Sequence, residues 1–375
     1  MSKYPYKRVM VTGGAGFIGS SFIQKLAMKN EGTEIVNLDN LSYAVSSKTL
    51  ELLDKIPKYS HINLDITQGA KLESVMQEFS PDLLINFAAE SHVDNSIDSA
   101  LPFINTNIIS NDRLRVLTFH DIPPNQLLEF KAKLSHLRKE WLIISPEKFE
   151  NMITGKDPIN GSNLLITFDD GLISNRVVAE KVLNPMGIKA IFFIISDFAS
   201  IDNHDEARQF ISERIMPNSN IEDIPENWSN MQWSDLAALI EQGHTIGSHS
   251  RKHARLSEVI TMEEINNEIV QSADYINLKL GSVVEHFAYP FGDLASINKA
   301  ALTIASNKFK YLHTGMRGNN KKSLNHKSIR RDSTSTQNKH NEYSIYENRL
   351  LDTFLMGAAD FRYKKSLQEI DSWLQ

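Results

Sequence analysis

The chain has no cysteine among its 375 residues, which excludes disulfides and thiolate metal sites and leaves histidine and carboxylate to hold any metal. It also has no apolar run near the roughly 18 residues that a membrane helix requires. Its first lysines lead into Val9-Met10-Val11 and then glycines rather than an apolar leader core, so a cytoplasmic location is expected. Excess positive charge is missing too. A net charge of -6 gives no electrostatic reason to expect nucleic acid or an anionic membrane as partner. There is no internal repeat and no low-complexity tract. The length suggests two domains, yet residues 108–113, where the pattern changes, contain no Gly/Ser-rich or Pro-rich linker.

What is present is organised around Leu164-Leu165-Ile166-Thr167-Phe168-Asp169-Asp170-Gly171. An apolar run of strand length ends in two carboxylates, as when a buried parallel strand delivers acids to the mouth of a sheet or barrel. Adjacent carboxylates repel, and a cation relieves them, so the pair reads as one metal ligand and one acid/base group. An ordinary strand followed by an Asp-Gly turn has the same appearance. His249 and His253 follow a short strand over 244–247, and their spacing of four places both on one face of a helical turn. With an acid from the first motif they make an Asp-His-His set that leaves positions open on a metal. In Phe287-Ala288-Tyr289-Pro290-Phe291-Gly292-Asp293, a strand turns at Pro and Gly and can aim backbone N–H groups into a site.

These three motifs, in this order, resemble the polysaccharide deacetylase family (carbohydrate esterase family 4, the NodB-homology fold), with the resemblance spanning about residues 112–375. It implies a distorted β/α barrel, a divalent metal, zinc by expectation, and an N-acetylated carbohydrate substrate. Asp169 matches the family's general base, Asp170, His249 and His253 its metal ligands, and Phe291 the residue whose backbone N–H holds the oxyanion. The family's third motif commonly begins with an Arg that orients the base, but Ala288 stands there. Arg330 or Arg331 is the replacement that the resemblance suggests. A late histidine usually supplies the general acid, and His313 and His326 are the candidates, each also readable as a surface histidine. His120, ending a strand that starts near Arg115, reads as lining the site or as capping a loop, with the loop favoured.

The start of the chain carries a different pattern. A strand over 7–12 runs into Gly13-Gly14-Ala15-Gly16-Phe17-Ile18-Gly19 and a helix to about residue 30, and a second strand ends in Asp39. Glycines there let a backbone approach a pyrophosphate at a helix N-terminus, and an acid twenty residues on suits a ribose. Further strands over 59–64 and 82–87 complete a strand-helix alternation of the doubly wound kind. With Leu38 to Tyr43 and Ala88 to Ile97, the segment resembles the extended short-chain dehydrogenases, and among them the dTDP-glucose 4,6-dehydratases. That resemblance implies NAD against Gly13, Gly16, Gly19, Asp39, Asp65 and Ile66, and it stops near residue 110. The family's Tyr-x-x-x-Lys pair is not in place. Tyr275 and Lys279 have the spacing but fall in a helix of the deacetylase region, so any NAD binding is expected to be weak and without hydride chemistry.

The fold expected is therefore α/β: a partial Rossmann segment over 1–110, then a distorted β/α barrel over 112–375. Residues 199–230 read as a polar loop over the barrel mouth. An uncovered fourth strand in the first segment invites packing against the barrel or self-association. Competing readings are a non-catalytic NAD-binding or nucleotide-sugar-binding module with a decayed barrel, and a bifunctional nucleotide-sugar modifying enzyme.

Overall fold

The computed structural model describes residues 7–29, 32–41, 45–66, 68–88, 112–321, 326–333, 335–337, 343–345, 348–357 and 360–374. The motif over 89–97, the helix expected near 101–107 and the residues up to 111 lie outside that set. The chain divides into two compact units, Met1–Asn111 and Asp112–Gln375.

In the first unit, β1 (Arg8–Thr12), β2 (Glu34–Asp39), β3 (Tyr59–Asn63) and β4 (Leu83–Asn86) form a parallel sheet in the order β3-β2-β1-β4. Helices Phe17–Lys29, Ser47–Leu53 and Gly69–Phe79 make the crossovers. Side chains alternate along each strand. Met10, Val36 and Leu38 therefore pack on one face, and Val9, Val11 and Ile35 on the other, so both faces are covered as a doubly wound sheet demands.

The second unit contains eight parallel strands: β5 (Arg113–Phe119), β6 (Leu142–Ile143), β7 (Ser162–Phe168), β8 (Ile191–Ile194), β9 (Thr245–Ser248), β10 (His286–Ala288), β11 (Tyr311–His313) and β12 (Asp332–Ser333). Their main path is β11-β10-β9-β8-β7-β5-β12. Ile329 bridges to His313 on β11, and three residues later Asp332 pairs with Leu117 on β5. One short stretch thus touches both edges and curls the sheet into a distorted barrel. Leu114, Val116, Leu165, Phe193 and Ile329 fill its interior. Phe119, Phe168 and Phe192 stack in series, 5.5 and 5.0 Å apart.

Two local expectations change. Residues 199–230 are not a polar loop. They hold the helix His204–Phe210, continue through a wider π turn over Ile211–Ile215, and bury Ala207, Ile211, Ile224 and Trp228 against Leu172 and Phe198. The strand expected over 244–247 runs from Thr245 to Ser248 and is followed by no helical turn. Among the described residues, no helix is long and apolar enough to cross a membrane.

His244, just before β9, accepts the Ala190 N–H at 3.2 Å through Nδ1 and lies 3.1 Å from Asn184 Oδ1 through Nε2. Burial, aided by the nearby Lys189 and Arg176 charges, pushes its pKa down to about 4 from 6.5. The unfolded chain therefore takes up the proton first, so this contribution to stability is complete above pH 6.5 and is lost as pH falls towards 4. Urea unfolding at pH 7.5 and 5.0 should show a smaller loss of stability in His244→Gln than in the unsubstituted protein. An equal loss would contradict this assignment.

Candidate metal centre

The C-terminal ends of the parallel strands open onto a cavity of about 420 Å³ lined by His120, Asp169, Asp170, His249, His253 and Arg331, among others. β7 ends at Phe168. The Asp169 N–H continues the ladder to the Phe119 carbonyl at 2.9 Å, but Asp170 and Gly171 adopt left-handed φ angles of 73° and 84°. Such a conformation is unfavourable for aspartate and marks a site where the surroundings over-determine the backbone. Both carboxylates are buried, Asp169 3% and Asp170 2% exposed.

His249 and His253 reach Asp170 from a loop rather than a helix. Ser250 and His253 both have positive φ, 66° and 58°, and these kinks supply the convergence that a helical turn was expected to supply. The Nε2 atoms of His249 and His253 lie 3.5 and 3.6 Å from Asp170 Oδ1. One ligand atom from each of the three residues falls within 4.8 Å of the others. The Nδ1 atoms are engaged elsewhere, on the Ala288 carbonyl at 2.8 Å and the Arg214 carbonyl at 2.9 Å. A carbonyl can only accept, so each Nδ1 carries a proton, and Nε2 is the nitrogen each ring turns towards Asp170 and can offer to a metal. This donor set, two imidazoles and a carboxylate with open cavity beside them, fits a divalent ion of the zinc type.

The electrostatics favour a neutral ring at His253, whose pKa burial pushes down to about 4. Burial also disfavours a charged His249, but Asp169 and Asp170 outweigh it and raise its pKa. For Asp170, burial opposes ionisation, yet the hydrogen bond from His249 and the neighbouring histidines hold it well below the usual carboxylate range. Asp169 is lowered too, against burial, chiefly by Arg331.

The two candidate arginines separate. Arg331 places Nη1 2.7 Å from Asp169 Oδ1 and Nε 2.8 Å from the Thr314 carbonyl. Arg330 turns the other way, to the Asn319 carbonyl and Asp371. Phe291 sits on the cavity rim with φ 62°, and among the described residues its N–H has no hydrogen-bond partner. His313 is not a surface residue: it is fully buried, 3.0 Å from His286 Nδ1 and packed on Phe193, and it does not line the cavity. His326, half-buried against Tyr311, does not line it either. His120 does, contrary to the loop assignment. Its signal was the strand register: Phe119 pairs with Phe168, so His120 leaves its strand level with Asp169. The wall over Ile215–Ser219 and Arg255 had no sequence motif to announce them.

In the first unit, Gly13 has φ 68°, and a Cβ at Gly19 would lie 2.4 Å from the Gly13 carbonyl oxygen. A Cβ at Gly16 would meet nothing closer than 3.4 Å, so that face of the turn is open to a pyrophosphate. Asp39 accepts the Ala15 and Leu41 N–H groups at 2.8 and 3.0 Å. Asp65 lies 3.4 Å from Asn40 Nδ2, and Ile66 is buried. Tyr275 and Lys279 share the helix Ser272–Leu280 of the second unit, the ammonium 5.4 Å over the phenol ring.

Two family models match different stretches of the chain. Residues 156–308 match the polysaccharide deacetylase family model, and residues 10–118 match the GDP-mannose 4,6 dehydratase model. The dTDP-glucose 4,6-dehydratase of Neisseria gonorrhoeae is 43% identical over 103 residues, 28% of this chain and 30% of that protein. That of Neisseria meningitidis is 41% identical over 108 residues, again 30% of its length. The chain thus spans about three-tenths of the curated relatives it matches. Among solved structures, IcaB from Ammonifex degensii superposes with a TM-score of 0.50 at 20% identity, covering 66% of this chain and 97% of that one, a likeness of fold. The chain carries a segment similar to 4,6-dehydratases ahead of a domain similar to polysaccharide deacetylases.

The arginine geometry has a direct consequence for stability. Removing one partner of a fully buried ion pair typically costs about 3–5 kcal/mol, whereas the Arg330–Asp371 pair is longer, at 3.5 Å, and leaves its carboxylate 30% exposed. Arg331→Ala, which strands a buried Asp169, should therefore destabilise the protein well beyond Arg330→Ala in urea titrations. Equal losses would mean that Asp169 is compensated by something other than Arg331.

Proposed function

We propose that the second unit is a metal-dependent N-deacetylase that releases acetate from an N-acetylated sugar. The observation that carries this reading is the convergence of Asp170, His249 and His253, with both Nδ1 atoms held by carbonyls and both Nε2 atoms facing Asp170, beside a second carboxylate that an arginine keeps ionised. The family match over 156–308 supports it.

Asp170, His249 and His253 are the residues that would hold a divalent ion. Such an ion supplies Lewis-acid polarisation of the amide carbonyl and of the attacking water. Asp169 takes the proton from that water as the new C–O bond forms. Arg331 keeps Asp169 ionised and fixes its orientation through a charge-assisted bond. As the carbonyl oxygen becomes an oxyanion, the Phe291 N–H donates to it from a position set by the turn at Pro290 and Gly292. The C–N bond then breaks, and Asp169 returns its proton to the departing nitrogen. His313 is buried in the barrel interior and His326 lies off the cavity, so the proton returns from Asp169, which already holds it, with His120 on the same wall as the remaining histidine outside the ligand set. The first unit offers an open glycine turn for a dinucleotide but no tyrosine-lysine pair of its own among the described residues, and we assign it binding or structural support without hydride transfer.

Acetate release from a panel of N-acetylated sugars and oligosaccharides tests the proposal. Asp169→Asn should lower kcat by about 10²–10⁴-fold, the range ascribed to general acid–base groups, while leaving metal content unchanged. No acetate from any substrate, or full activity in Asp169→Asn, would overturn it.

A further inference from the structure

Ala288 stands where the resemblance expects an arginine, so the burden of fixing Asp169 falls on Arg331, a residue on a short stretch near one edge of the barrel. Something must hold that stretch. Alternation along an extended chain sends Arg331 towards the cavity and its neighbours Arg330 and Asp332 to the opposite side. There Asp332, fully buried, receives both arms of Arg115: Nε to Oδ2 at 2.8 Å and Nη2 to Oδ1 at 2.6 Å. The remaining edge of the same guanidinium is clasped by Asp360, at 2.7 and 3.0 Å, and by the Phe354 carbonyl at 3.1 Å. Arg317 adds a bond to the Ser333 carbonyl at 2.7 Å while its guanidinium lies 4.2 Å over the Phe354 ring. Arg330 and Ser328 both reach Asp371.

A single arginine bridging two carboxylates is a planar, directional joint rather than a diffuse attraction. Its two ends lie at Asp332, next to the residue that touches Asp169, and at Asp360, which opens the short helical turn Asp360–Tyr363 near the C-terminus. Residues 115, 332 and 360 all fall outside 156–308, the stretch that matches the deacetylase family model. We infer that Arg115 and Asp360 are positioning residues for the deacetylation reaction: with Asp332 they form a clamp through which the C-terminal segment sets Arg331, and through it Asp169, in register with the bound amide. The inference rests on the proposed role of Asp169 and Arg331.

The test is a double-mutant cycle on the full chain, loaded with zinc and assayed for acetate release well below its unfolding temperature. Arg331→Lys keeps the buried charge but loses the planar fork, and Asp360→Asn removes one end of the clamp at a partly exposed position. Asp360→Asn should lower kcat about tenfold, with KM and zinc content nearly unchanged, and should have almost no further effect in the Arg331→Lys background, since coupled residues are not additive. Asp360→Glu should restore part of the rate. A purely structural Asp360 would lower the unfolding temperature and leave kcat alone, or would reduce kcat by the same factor in both backgrounds; either result overturns the inference. Should Asp360→Asn prove too unstable to assay, Arg317→Lys, which loosens the strand at Ser333 while keeping a cation, is read in the same cycle with the same two outcomes. No acetate from the unsubstituted protein would instead sink the proposed function, and a fully active Arg331→Lys would remove Arg331 from the mechanism and the inference with it.

Discussion

Two neighbouring carboxylates buried at the end of one strand are the constraint on which the second unit depends. Each ion taken from water costs several kcal/mol unless it is compensated, and Asp169 and Asp170 are both nearly inaccessible. The chain separates them by breaking the strand: the left-handed backbone at Asp170 and Gly171 gives each acid its own partners. Asp169 goes to Arg331, and Asp170 goes to two imidazoles and the space between them. Identical side chains one residue apart thus acquire different surroundings, which is what the proposed roles of base and ligand require.

The surrounding fold consists largely of the means to hold those partners. β9 ends at Ser248, and the kinked loop after it brings both histidines round. The end of β10 turns His249 through the Ala288 carbonyl, so the residue found where an arginine was expected still contributes its backbone. The far wall reaches His253 through the Arg214 carbonyl. That contact lies in the segment that the sequence presented as a loop, which makes its buried packing part of the site's rigidity rather than a cover over it.

The strands were legible because buried parallel strands read as apolar runs, and the clustered residues because three motifs stand in the order that the deacetylase resemblance requires, since an Asp-Gly turn after a strand is ambiguous by itself. Strand register could have assigned His120 to the cavity, and alternation could have chosen Arg331 over Arg330 once the pairing of Asp332 with Leu117 was known. Neither pairing is a property of one segment. The histidine spacing was misleading because four residues span a helical turn and a kinked loop equally well, and only the φ angles distinguish them. Residues 199–230 looked like a loop because their apolar positions, Ala207, Ile211, Ile215 and Ile224, are spread among many charges and pass through a π turn that breaks the 3.6-residue period. The Arg115 clamp had no local signature at all, since Arg115 lies more than 200 residues from both of its carboxylate partners.

If a cation completes the compensation of Asp170, its binding must stabilise the folded state by mass action, by about 2.7 kcal/mol at a hundred times the dissociation constant. Thermal unfolding of chelator-treated protein titrated with zinc measures this directly. The account predicts an unfolding temperature that climbs with zinc concentration and a response that disappears in Asp170→Asn. A flat titration, or the same climb in Asp170→Asn, would contradict it.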